Sequence, residues 1–323
     1  MASPFKRPTT MKKACSFLPA ATQMIYDLGL QDHLHGVTFE CPSAALAEKP
    51  KVVRYVLEGK DYFSAEVDRI FSTSKAQGKS LYYVDDAVLQ AAAPEVIFTQ
   101  DVCEVCQINT ACTAAAVAKL PNPPELIPLT PQSLEDVFQT VITIATVLDA
   151  EEAAYRHLRQ LRQRLDAVVD TLRAHRTMPR RVALLEWIDP IYNCGHWIPD
   201  QIAYAGGADL LAHPSGDSII LPWEKLVRYD PEVLVMAPCG FTVDRTLQEL
   251  SCLTQRPGWH DLRAVQKRQV FVIDYTLFTQ PSAATLTDGI ELLAALFHPS
   301  IFSVPPALSG SYRPLPTATF VSS

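Results

Sequence analysis

The feature that most restricts the fold of this chain is an internal repeat of two short marks in the same order. Gly29-Leu30-Gln31-Asp32-His33-Leu34 is echoed by Gly206-Gly207-Ala208-Asp209-Leu210-Leu211, and each closes a helical pattern with a glycine C-cap signal. Further on, Leu89…Pro94-Glu95-Val96-Ile97 is echoed by Leu226…Pro231-Glu232-Val233-Leu234. In both, a short helix stops before proline and an apolar strand follows. Two copies of one α/β unit explain the pattern, the first carrying extra residues from about Pro42 to Lys79.

Short apolar runs mark the strands: Ala14–Leu18, Gly36–Phe39, Val96–Thr99, Leu126–Leu129, Val182–Trp187, Val233–Ala237 and Val270–Asp274. Helical patterns separate most of them, which predicts α/β lobes with mostly parallel sheets. Two helices fill the middle. The first runs over Ser133–Leu148. The second runs from about Ala150 to His175, with Asp149 as N-cap and Glu152 as its capping-box partner. Its stripe of Ala154, Leu158, Leu161, Leu165, Val168 and Leu172 suits one long helix, ~39 Å at 1.5 Å per residue, linking the two lobes with limited hinge motion. The expected organisation is an N-terminal lobe over 12–148, the linking helix over 149–177 and a C-terminal lobe over 178–300. Disordered tails are expected over 1–11 and 304–323.

Composition narrows the function. A chain of 323 residues with 48% hydrophobic residues supports about two ordinary domains. The net charge of −7 and dispersed Lys and Arg argue against a nucleic-acid partner. No run is apolar and long enough to span a membrane. The stretch after Lys12-Lys13 contains Gln23, Tyr26 and Asp27, a poor signal-peptide core, so a cytoplasmic location is expected. There is no Gly-rich phosphate loop and no nucleophile elbow.

Ligands of open parallel sheets bind at the carboxyl ends of the strands. The distinctive residues of this chain fall there: Glu40 and Cys41; Asp101, Cys103, Glu104 and Cys106; Glu186 and Trp187; His196 and Trp197; Cys239 and Phe241; and Tyr275. Facing lobes would gather them in one cleft. The Cys103-x-x-Cys106 pair admits three readings. It chelates a metal, with Cys41 and Cys239 completing a four-sulfur site for zinc or an iron-sulfur cluster. It does redox chemistry at a helix N-terminus. Or it is a pair of small buried side chains. Glu186 and Trp187 suit a polar contact and a stacking plate, with plain core packing the alternative for the indole. His196 suits a metal ligand or a helix-start histidine. Trp223 and Trp259 read as packing, and Cys15, Cys112 and Cys252 as core or surface.

The segments Ser16-Phe17-Leu18-Pro19-Ala20-Ala21-Thr22, Glu40-Cys41, Thr99-Gln100-Asp101-Val102-Cys103-Glu104-Val105-Cys106, Leu185-Glu186-Trp187, Gly195-His196-Trp197-Ile198-Pro199, Ala205-Gly206-Gly207, Ala237-Pro238-Cys239-Gly240-Phe241 and Arg256-Pro257-Gly258-Trp259 together resemble the helical-backbone metal receptors. These are class III periplasmic-binding-protein-like solute-binding components of ABC importers for cobalamin, haem and iron-siderophores. The cobalamin-binding branch is the nearest match, over about Lys12 to Pro299. The resemblance implies two lobes on a rigid helix and a small-molecule metal chelate, cobalamin or a related tetrapyrrole, held among aromatic residues in the cleft. A binding role is expected before an enzymatic one. The cytoplasmic reading and the thiol-rich cleft depart from the transporter pattern and argue against a membrane permease as partner. A cytoplasmic metal or iron-sulfur cluster protein, with His196 or Glu186 in acid-base work, is the rival reading.

Overall fold

Two sheets of matching topology organise the chain, as the repeat requires. The computed structural model describes residues 11–60, 62–100, 108, 110–280 and 282–315. It divides into one unit of Met1–Gly59, Ser80–Thr130 and Val141–Ala154 and a second of Lys60–Lys79, Pro131–Thr140 and Tyr155–Ser323. In chain order the elements begin with β1 (Ala14–Ser16), α1 (Pro19–Asp27), β2 (Leu34–Thr38), α2 (Ser43–Glu48), β3 (Lys51–Tyr55), α3 (Ser64–Ala76), β4 (Tyr82–Val84), α4 (Asp86–Ala92), β5 (Val96–Thr99), α5 (Thr110–Val117) and β6 (Glu125–Pro128). Then come α6 (Leu134–Val147) and α7 (Glu151–Ala174). The remainder is β7 (Arg180–Leu185), β8 (Trp187–Ile188), β9 (Ile191–Tyr192), β10 (Gly195–His196), α8 (Ile198–Tyr204), β11 (Gly207–Ala208), β12 (His213–Pro214), α9 (Trp223–Tyr229), β13 (Val233–Met236), α10 (Val243–Gln248), α11 (Ser251–Thr254), α12 (Arg263–Gln266), β14 (Val270–Ile273), α13 (Ala283–Phe297) and β15 (Tyr312–Pro314).

The first sheet has the order β4-β3-β2-β1-β5-β6 and the second β11-β7-β13-β14-β15. The subset β2-β1-β5-β6 and the subset β11-β7-β13-β14 are the same arrangement, all parallel. The repeat marks carry it. Gly29 and Gly206, at φ +71° and +77°, end α1 and α8 in the left-handed region that glycine reaches without strain. Ala93 and Asp230, at φ +42° and +49°, end α4 and α9, their N–H groups donating to the Leu89 and Leu226 carbonyls. Glu95 then exchanges two bonds with Lys13: its N–H donates to the Lys13 carbonyl at 2.8 Å and its carboxylate accepts the Lys13 N–H at 2.8 Å. Glu232 does the same with Arg181, at 2.7 and 3.0 Å. In each unit this clamp sets the register of the two central strands.

Strands β5 and β13 are buried along their length, as parallel strands covered on both faces must be. Helix α7 buries Ala154, Leu158, Leu161, Leu165 and Val168, the expected stripe. Helix α6 starts on a capping box: Asp136 N–H donates to Ser133 Oγ at 3.2 Å and Asp136 Oδ2 accepts the Ser133 N–H at 3.0 Å. Helix α13 is buried on nearly every side.

Two expectations are corrected, and one segment gains its elements. Asp149 does not cap α7. At φ +57° it closes α6, the Ala150 N–H reaching back to the Ala145 carbonyl at 2.8 Å, so a helix C-cap occupies the residue read as an N-cap. Second, the extra residues of the first copy carry secondary structure of their own. They supply α2, β3 and α3, and β4 follows, antiparallel to β3. Lys51 and Arg54 interrupt the apolar pattern by which β3 would have been legible. Third, the tail does not begin at residue 304, because β15 adds antiparallel to β14 with Leu315 N–H on the Val270 carbonyl at 2.9 Å. Pro314 is tolerated because β15 is an edge strand.

Candidate functional site

In the second unit the carboxyl ends of β7, β13 and β14 are laced together by backbone hydrogen bonds. Glu186 directly follows β7, and its carbonyl accepts the Cys239 N–H at 3.0 Å. Pro238-Cys239-Gly240-Phe241 is a tight turn after β13, with Phe241 N–H on the Pro238 carbonyl at 3.0 Å and Gly240 at φ +77°. That positive φ at the third position demands glycine. The Phe241 carbonyl accepts the Tyr275 N–H at 3.3 Å. Asp274 holds Tyr275 in a short 3₁₀ turn, its Oδ1 accepting from the Thr276 N–H at 3.0 Å and hydroxyl at 2.6 Å.

These bonds gather Glu186, Trp187, Cys239, Phe241 and Tyr275 on one edge. Trp187 and Phe241 meet with ring centroids 5.0 Å apart at 56°, a tilted aromatic pair. The indole N–H of Trp187 donates to the Asp189 carbonyl at 3.1 Å, which fixes the ring. The Glu186 carboxylate accepts the Gly195 N–H at 2.9 Å, drawing in the loop that carries His196. A side chain at Gly195 would run 2.4 Å from the Gly216 carbonyl oxygen, so this loop closes only around glycine.

His196 stacks on Trp197 at 5.3 Å, and its Nε2 lies 3.5 Å from Asp217 Oδ1. Burial lowers the imidazole pKa, opposed by Asp217 and reinforced by His213, so the ring is neutral near pH 7. Trp197 is only 8% exposed and donates its indole N–H to the Phe278 carbonyl at 2.7 Å, which makes it a packing residue of this unit. Trp223 and Trp259 are packing residues as well, stacked at 6.4 Å.

In the first unit Glu40 and Cys41 follow β2. Burial pushes the Glu40 carboxyl up to about 7. Cys41 is buried, its thiol donates to Thr22 Oγ1 at 3.1 Å, and burial pushes it up to about 12, so it is a thiol and not a thiolate at neutral pH. Asp101, Cys103, Glu104 and Cys106 lie outside the described residues. Among the described residues no three His, Cys, Asp or Glu side chains form a group that could hold a metal ion.

Residues not anticipated from the sequence also stand at these edges. Phe39, Tyr55 and Tyr82 stack in the first unit with centroid separations of 5.2 to 6.0 Å. Phe39 precedes Glu40 directly and could have been found there. Tyr55 and Tyr82 depend on the β3–β4 pairing, in which they are register partners. Two cavities of the second unit lie away from the strand ends. One, of about 600 Å³, runs beside α7 against Arg164, Glu291 and Phe302. The other, of about 270 Å³, lies by Phe271, Leu296 and Tyr312. No helix among the described residues is long and apolar enough to cross a membrane.

A family model described as periplasmic binding protein matches residues 18–277. No curated protein sequence matches the chain. Among solved structures it is similar to a periplasmic heme binding protein from Pseudomonas aeruginosa, at TM-score 0.69 and 19% identity, covering 94% of this chain and 98% of that one. It is also similar to an ABC-type Fe3+-hydroxamate transport system protein from Saccharomonospora viridis, at TM-score 0.63 and 18% identity, covering 89% and 93%. A periplasmic vitamin B12 binding protein of Vibrio cholerae gives TM-score 0.60 and 17% identity, covering 90% and 98%. At these identities the likeness is one of fold.

Proposed function

The chain belongs to the periplasmic binding protein family, and on that premise we propose that it binds a metal chelate of the tetrapyrrole class, cobalamin before haem. The observation that carries the reading is the joined edge of Glu186, Trp187, Phe241 and Tyr275. A tilted aromatic pair beside a carboxylate suits a flat macrocycle that also offers hydrogen-bond donors. We assign His196, on the loop that the Glu186 carboxylate draws in, to the same ligand.

Charge supports cobalamin over its relatives. The assigned residues of the second unit bring the Glu186 carboxylate and no Lys or Arg. The basic residue packed on Phe241, Arg245, is paired with Glu249. A haem presents two carboxylates and asks for cations. The corrin periphery presents primary amides, whose N–H groups donate to carboxylates. His196, neutral at pH 7, suits a metal-facing imidazole.

Spectrophotometric titration with cyanocobalamin, hemin and a ferric hydroxamate tests this. Cyanocobalamin binds most tightly on the present reading, and Trp187→Ala weakens it about tenfold, the scale of one lost aromatic contact. Absence of binding to all three would overturn the chelate reading. Preference for hemin would overturn the charge argument.

A further inference from the structure

The segment Lys60–Lys79, part of the extra residues of the first copy, belongs to the second unit and is anchored there by polar contacts. Glu249, at the end of α10, is buried, and its Oε2 accepts both the N–H of Ser64 at 2.7 Å and the Ser64 hydroxyl at 2.6 Å. The same carboxylate pairs with Arg245 one turn back, and Arg245 donates to the Tyr62 carbonyl. A second anchor lies along α3, where the Tyr192 hydroxyl donates to Asp68 Oδ1 at 3.2 Å. Burying a carboxylate is costly unless its lone pairs are filled. Here Oε2 is filled by the segment's own first helical residue and Oε1 is ion-paired with Arg245, so the position of the segment is specified closely.

The anchoring delivers an aromatic ring. Arg245 lies with its guanidinium carbon 4.6 Å from the Phe241 ring centroid and 5.8 Å from that of Phe63. Phe63 therefore shares the Arg245 guanidinium with an aromatic of the strand-end edge, yet it remains 61% exposed. Its backbone is fixed by α3, since Glu66 Oε2 accepts the Phe63 N–H at 3.1 Å. A large apolar ring left in solvent on the same guanidinium as Phe241, with its backbone fixed, gains little for folding and is placed for a ligand.

We propose that Phe63 is a further ligand-contact residue, carried to the Trp187–Phe241 edge by the inserted segment and held there by the Ser64–Glu249–Arg245 cluster. The proposal rests on the chelate reading for the nature of the ligand. It makes the inserted segment a determinant of specificity, because the face offered to the macrocycle is then built partly by residues outside the repeated unit.

The test uses the full chain and two variants, Phe63→Ala and Glu249→Gln, with Ser64→Ala as a milder substitute should Glu249→Gln fail to fold. Phe63→Ala weakens cyanocobalamin binding about tenfold with an unchanged melting temperature, because the ring is exposed. Glu249→Gln speeds amide exchange over 64–76 and weakens binding in parallel. Binding by Phe63→Ala as tight as wild type would overturn the contact role. Unchanged exchange over 64–76 in Glu249→Gln, or in Ser64→Ala if that variant is used, would overturn the clamp. Wild-type protein that binds none of cyanocobalamin, hemin and the ferric hydroxamate sinks the chelate reading and the contact role with it. The exchange measurement, made without ligand, still decides the clamp.

Discussion

Replacing Gly289 by alanine sets two physical rules against each other. On helix propensity alone, alanine in the interior of α13 gains about 1 kcal/mol over glycine. Packing reverses the sign. A Cβ at position 289 would stand 2.6 Å from the Leu277 carbonyl oxygen and 2.7 Å from Gln201 Nε2. Gln201 is buried and donates to the Leu277 and Leu286 carbonyls at 3.0 Å each, tying α8 and α13 to the turn that carries Tyr275. Overpacking costs about 1–3 kcal/mol, and displacing the amide strands two buried acceptors at about 1–3 kcal/mol each. After subtracting the propensity gain of about 1 kcal/mol, Gly289→Ala destabilises the second unit by about 2–8 kcal/mol, a melting shift of at least roughly 4 °C for a unit of this size. Thermal unfolding followed by circular dichroism measures it. The Gln201→Ala/Gly289→Ala double variant recovers only part of the loss, since the Leu277 carbonyl is backbone and cannot move aside. A melting temperature at or above wild type would refute the reasoning.

Two further outcomes follow from burial. Desolvation raises the Asp209 carboxyl from its ordinary 3.8 to about 6, against bonds from the Leu184 and Leu211 N–H groups, and raises Glu40 from 4.5 to about 7. The folded state then holds protons that the unfolded chain has released. The stabilisation is complete below the ordinary values and is lost as pH rises through about 6 to 7, at most about 3 kcal/mol for Asp209. Urea unfolding between pH 4 and 8 should show stability falling over that window, and Asp209→Asn should flatten the slope. For the thiols, burial pushes Cys15 and Cys41 up to about 12 and Cys194 well above its ordinary value. Alkylation of the native protein at pH 8, read by mass spectrometry, should leave these three unmodified while half-buried Cys112 and Cys239 react. Modification of Cys194 at the rate of Cys239 would contradict the buried placement.

The repeat, the parallel α/β architecture and the span of α7 were legible in the sequence because each rests on local signals. Glycine C-caps at Gly29 and Gly206, the Pro-Glu marks before β5 and β13, and the apolar stripe of α7 are all read within one or two turns of chain. The strand-end rule located Glu186, Trp187, Phe241 and Tyr275, since alternation of strand and helix already says where strands stop. Partnership was not legible. Tyr55 and Tyr82 join the Phe39 stack only when β4 pairs antiparallel with β3. Edge strand β15 reads as a proline-rich tail until β14 is there to receive it. Trp197 shares a strand-end context with Trp187, and only packing sends its indole to the Phe278 carbonyl. Ser64 and Glu249 lie 185 residues apart in sequence, and no period or motif links them. The chain by itself determined the order of its repeated strands and helices, because the hydrogen bonds and caps that mark them are mostly local. Which side chains meet at the strand ends was decided by tertiary structure, because burial and pairing depend on residues distant in sequence.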